Sequence, residues 1–213
     1  MIDAVKHYSY KSQAFTLVVN DITGNDDADL VVSGKVIRAG TGVYGSASSW
    51  NIPFSKYGDG TVRFDDKVIL RGTMTLFGGK VLFGDNGDMY PTTETSSEVQ
   101  SRDPVVNLRS GTAVGKTANA LGLGALQLTG DGLHTLELGP TATMAFADSS
   151  GKAWEGALVV KGFREGAVRF GDSDAALTEA QQRMIRAESE RGMRLHLLPN
   201  GFLAPYGARI VIR

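Results

Sequence analysis

Apolar residues spaced two apart recur along most of this chain: Val62 and Phe64, Met74 and Leu76, Val81 and Phe83, Leu126 and Leu128, Leu136 and Leu138. A period of two with one apolar face marks a half-buried strand. The pattern predicts strands within 14–19, 29–37, 61–70, 73–84, 125–130, 134–139, 143–147, 156–163, 167–171, 193–198 and 208–213. The joints between them repeat too, with GDG at 58–60 and 130–132, FGG at 77–79, FGDNGD at 83–88 and FGDSD at 170–174. Brief strands with such punctuation predict a mainly β fold. It is either a right-handed β-solenoid (β-helix-like) or a β-sandwich stack. In a solenoid, each rung buries its inward residues only when a neighbour stacks on it.

One helix is predicted, at about 178–191, in LTEAQQRMIRAESER (177–191). Thr178 followed three residues later by Gln181 is a capping box, in which each side chain satisfies a backbone amide of the first turn. Leu177, Met184 and Ile185 fall on one helical face, and Gly192 is a natural stop. Such a helix would cover strand edges that otherwise lie open. Residues 91–124, rich in Ser, Thr, Gly and Ala, read as a connecting excursion. That divides the chain into a β-strand region at 1–90, the excursion, and a C-terminal β module with its helix at 125–213.

Composition narrows the chemistry. The 213 residues include 27 glycines, well above ordinary usage, and so favour a turn-rich chain. There is no cysteine, which removes disulfides, thiol catalysis and zinc–thiolate sites together. A formal net charge of −1 supplies no field to draw nucleic acid or an anionic membrane, so neither is expected as a partner. No apolar run has the length of a membrane span.

Candidate catalytic chemistry rests on two corners. VVNDITG (18–24) and AFADSSG (145–151) each place an Asp after an apolar strand, ahead of a hydroxyl residue and a Gly. An aspartic-type peptidase works with two such carboxylates held together and sharing a proton. Asp21 and Asp148 are therefore the candidate acid and base. Both motifs carry one extra residue between the Asp and the hydroxyl, and Asp-Ser-Ser-Gly is also an ordinary Asx-turn corner, the reading favoured for Asp148.

For ligand binding, Trp50, Tyr44 and Tyr57 lie in or beside a polar loop-like stretch (41–61) where aromatic rings could stack on sugars. The acidic loops at 21–29 and 84–88 offer oxygen ligands that calcium would accept, without the spacing of an EF-hand. No other cofactor is expected. His7, His134 and His196 lack metal-ligand spacing, and GTAVGKTAN (111–119) has three residues between its glycines where a phosphate loop needs four.

Residues 126–205 resemble the C-terminal module of exported bacterial proteins, of the kind found in Verrucomicrobia, built from autotransporter-associated β-strand repeats. The resemblance is carried by AFADSS (145–150), Trp154, GALVVKGF (156–163), VRFG (168–171), LTEAQ (177–181) and NGFLAP (200–205). Residues 57–84 are similar to the strand repeat itself. The resemblance implies a β-solenoid or related fold, export to the cell surface or medium, and a scaffold or passenger role rather than a reaction. The expectation is thus a secreted or cell-surface structural and adhesive module without catalysis, whose partners would be bacterial or host glycans or glycoproteins. The alternatives are an aspartic-type peptidase acting on secreted glycoprotein such as mucin, through Asp21 and Asp148, and a glycan-binding module.

Overall fold

A computed structural model describes residues 15–34, 53–68, 73–89, 105–188 and 192–207. The fold is mainly β, with parallel sheets and no closed barrel. Strands are numbered in chain order. A five-stranded sheet contains β1 (Phe15–Val18), β3 (Phe54–Tyr57), β5 (Met74–Leu76), β7 (Val106–Arg109) and β10 (Leu126–Thr129), side by side in that order. A seven-stranded sheet runs β2 (Leu30–Val32), β4 (Thr61–Phe64), β6 (Lys80–Phe83), β8 (Ala113–Lys116), β11 (Leu133–Leu138), β13 (Ala157–Lys161) and β15 (Ile185–Ala187). The chain therefore alternates between the two sheets, adding one strand to each over five circuits, and then extends the seven-stranded sheet alone with β13 and β15. From the fourth circuit a third sheet forms from β9 (Ala120–Leu123), β12 (Thr143–Phe146) and β14 (Val168–Phe170). Every pairing in these three sheets is parallel.

Alternation explains the layering. Inward positions form straight columns through the seven-stranded sheet, where Leu30, Val62, Val81, Val114, Leu136, Val160 and Ala187 are successive register partners. From Val62 to Val160 each member is fully buried, so each side chain removes its neighbours above and below from water. A second column passes through Val32, Phe64, Phe83 and Lys116, with the Phe64 and Phe83 rings 6.0 Å apart. Phe54 meets Phe64 edge-on at 6.2 Å and so joins the two sheets across the core.

Two expectations need correction. The stretch 91–124 is not an excursion throughout: residues 106–123 hold β7, β8 and β9. Strand β7 pairs with β5 on one side and β10 on the other, so the sheet runs unbroken past residue 125. The helix opens as expected, with Thr178 accepting from the Gln181 amide and Gln181 reaching back to the Thr178 amide. It closes after five residues, α1 being Glu179–Arg183. Ile185 then pairs with Leu158 as the first residue of β15, because burial in the sheet outweighs the helical pattern. Beyond it an antiparallel hairpin, β16 (Leu195–Leu197) with β17 (Leu203–Pro205), packs near β15 and α1. Leu197 donates its amide to the side chain of Gln182.

Candidate functional site

The corner after β12 carries the second candidate aspartate. Phe146 and Phe170 stack at 5.0 Å and Trp154 meets Phe170 edge-on at 6.0 Å, giving the strand end a fixed apolar base. The Trp154 indole donates to the Leu126 carbonyl at 3.0 Å, tying the corner to β10. Asp148 Oδ1 accepts both the amide of Ser150, at 2.8 Å, and its hydroxyl, at 2.7 Å. The Ser150 hydroxyl, followed by its amide, holds the Asp148 carboxyl below its usual range. This is the geometry of an Asx turn. The next residue does as much: Ser149 is fully buried, accepts from the Leu126 amide and donates to the Ala147 carbonyl. Gln181 completes the corner by donating to the carbonyls of Ser149 and Lys152.

Beside Asp148 lies an open groove of about 570 Å³ over the third sheet. Gly122, Ala145 and Arg169, register partners on β9, β12 and β14, line it together with Asp148 and Asp172. Arg169 is fixed by donating to the Gly171 carbonyl and to Asp172, and its guanidinium sits 5.8 Å from the Phe202 ring centre. Of the lining residues, the sequence marked Asp148 alone as a candidate site residue. The one available signal was Gly122, a glycine inside an alternating strand.

Asp21 sits elsewhere. It follows β1, in the first circuit, whereas Ser149 beside Asp148 is bonded to the start of β10, four strands further along the same sheet. At the usual strand spacing the two aspartates are separated along the stack by roughly 20 Å. The structure does not bring them together. Asp21 Oδ1 accepts from the Gly24 amide, and its own amide donates to Asp59. The centre of this loop is Asp29, which the sequence did not single out. It accepts from the amides of Thr61, Ile22 and Thr23 and from the Thr23 hydroxyl. The Thr61 amide leads these bonds in holding Asp29 at about 2.

Of the aromatic candidates, Trp50 and Tyr44 lie outside the described residues. Tyr57 is partly exposed and stacks on Phe77, ring centres 4.4 Å apart and planes within 5°. Arg109 sits 5.0 Å from the Phe77 ring centre. One face of Tyr57 is thus occupied within the protein.

Two cations fill corners of the sequence that read as calcium loops or turns. Lys116 is an inward residue of β8, 1% exposed, and its ammonium meets the carbonyls of Gly84 (2.6 Å), Gly87 (2.6 Å) and Asp85 (3.1 Å). Lys56, fully buried in β3, likewise meets Gly60 (2.5 Å), Gly58 (2.6 Å) and Gly78 (2.9 Å). Burial lowers the pKa of both, that of Lys56 to about 8. The buried ring of His134 similarly lies among the carbonyls of Arg109, Gly130 and Glu155. Among the described residues, no group of three or more His, Asp or Glu is arranged to hold a metal ion. None of their helices is long and apolar enough to cross a membrane.

Compared with protein-family models, curated proteins and solved structures, the chain matches none.

Proposed function

We propose that this chain is a β-solenoid module of an exported surface protein, serving as a rigid structural and adhesive element that presents its corners and outer faces to partners. The observation that carries this reading is the unbroken inward column from Leu30 to Ala187. A stack in which every layer is buried by its neighbours has its stability spread along its length, and loops can vary at each corner without disturbing the layers. The candidate aspartates fit this role, since Asp148 and Asp21 each close a turn with backbone amides. The partners presented to such corners would be glycans or glycoproteins of the surrounding surface.

The test is antibody labelling of intact source cells, with brief protease shaving as a companion. Display predicts labelling without permeabilisation and loss of the signal after shaving. Labelling that requires permeabilised cells would remove the surface role.

A further inference from the structure

We propose that the groove over the third sheet is a binding site for a neutral, hydroxyl-rich carbohydrate chain. This deepens the display reading and rests on it for the presence of glycan-bearing neighbours. The argument begins with Gly122. A glycine inside a strand weakens it, and its usual causes are a bulge, a positive φ, crowding by another part of the protein, or the close approach of a ligand. Strand β9 pairs with β12 residue for residue, so there is no bulge. Gly122 is not among the residues with positive φ. A Cβ built on it would meet nothing within 4 Å. Gly115, the other glycine inside a described strand, has an internal reason, since its Cβ would lie 2.8 Å from Leu82 Cδ1. What remains for Gly122 is the space outside it, and that space is the groove.

The surroundings define the ligand. The floor is Gly122 and Ala145, short enough for a broad flat molecule to lie against the sheet. At the rim stand two carboxylates and one guanidinium. Both Ser150 bonds converge on Asp148 Oδ1, which leaves Oδ2 with acceptor capacity. The Asp172 side chain is 87% exposed, while Arg169 is already paired with it. The rim therefore offers hydrogen-bond acceptors and a slight negative charge. Sugar hydroxyls supply the matching donors, whereas sulfated or sialylated chains would be repelled. A peptide adding by backbone pairing would lie along the outer edge of β9 or β14, whereas the groove lies over the face of the sheet, whose central strand β12 is paired on both sides.

The experiment measures binding of the full chain to a panel of neutral gluco-, galacto- and xylo-oligosaccharides, desialylated mucin O-glycans, chitosan and heparin. It compares wild type with Gly122→Leu, whose Cβ would stand in open space on the groove floor. The expected result is binding of at least one neutral member. Gly122→Leu should weaken it tenfold or more, with an unchanged thermal midpoint and unchanged circular dichroism. Asp148→Asn should weaken it to a lesser degree. A panel silent for neutral members, binding of chitosan or heparin alone, or a Gly122→Leu protein that binds as wild type would each overturn the proposal. A silent panel with positive surface labelling removes the groove and leaves display standing. Neutral-glycan binding by a protein that labels only in permeabilised cells keeps the groove and removes display.

Discussion

Lys116 takes the place of an aromatic ring in the core, pairing in register with Phe83, yet its ammonium ends 2.6 Å from the carbonyl oxygen of Gly84. Its stem continues the apolar column and its head closes the corner beyond the strand. Lys56 does the same between β3 and β4. In both, three corner carbonyls receive one buried donor.

Replacing Lys116 by Met keeps the stem's bulk and takes the donor from the Gly87 carbonyl, whereas the Gly84 carbonyl keeps the Gly87 amide and the Asp85 carbonyl keeps the Asn119 side chain. An unsatisfied buried polar group costs about 1–3 kcal/mol, so Lys116→Met should destabilise by about that much. Urea unfolding at neutral pH measures this, and an unchanged midpoint would show that water reaches the Gly87 carbonyl.

Lys56 makes a pH-dependent contribution. Its pKa falls from 10.5 to about 8 on folding because burial disfavours the charge. Between these values the unfolded chain binds more protons than the folded one, so this residue's contribution to stability rises with pH from about 8 towards 10.5. The stability of wild type minus that of Lys56→Met should grow over that window. A flat or falling difference would contradict the desolvated ammonium.

Asp29 works in the opposite direction. Four donors hold its carboxyl at about 2 against the usual 3.8, so its stabilising effect is present above pH 3.8 and is lost as pH falls towards 2. Acid titrations of wild type and Asp29→Asn, followed by circular dichroism, should differ most across that interval. Coincident acid limbs would mean that the loop bonds do not persist in solution.

How far the sequence disclosed this fold depends on where each side chain finds its partner. Val62, Val81 and Leu136 announced themselves through alternation, because each strand's burial pattern is local. The circuits did not, because the interval from Val62 to Val81 is much shorter than that from Val81 to Val114. β8 escaped notice since Ala, Val, Gly and Lys lack alternation; all four are buried, Lys116 through a cage made more than 25 residues earlier in the chain. The capping box at Thr178 was legible because it closes within three residues, whereas the helix end was set by distant Leu158. At the site, the Asx turn of Asp148 could be read from Asp-Ser-Ser-Gly, but the groove beside it is assembled from three circuits.

Asp148 itself separates turn from catalysis. Asn retains an oxygen able to accept the Ser150 amide, so Asp148→Asn should cost well under 1 kcal/mol, while Asp148→Ala removes both bonds and should cost about 1–2 kcal/mol. Thermal unfolding of the two variants measures the order. Casein and mucin incubations with wild type, Asp21→Asn and Asp148→Asn provide the chemical arm. Two aspartates separated by roughly 20 Å cannot share a proton, so any peptide cleavage should be equal in the three proteins. Cleavage by wild type that both substitutions abolish would require the carboxylates to meet, and would therefore mean that the separation across the five-stranded sheet does not hold in solution.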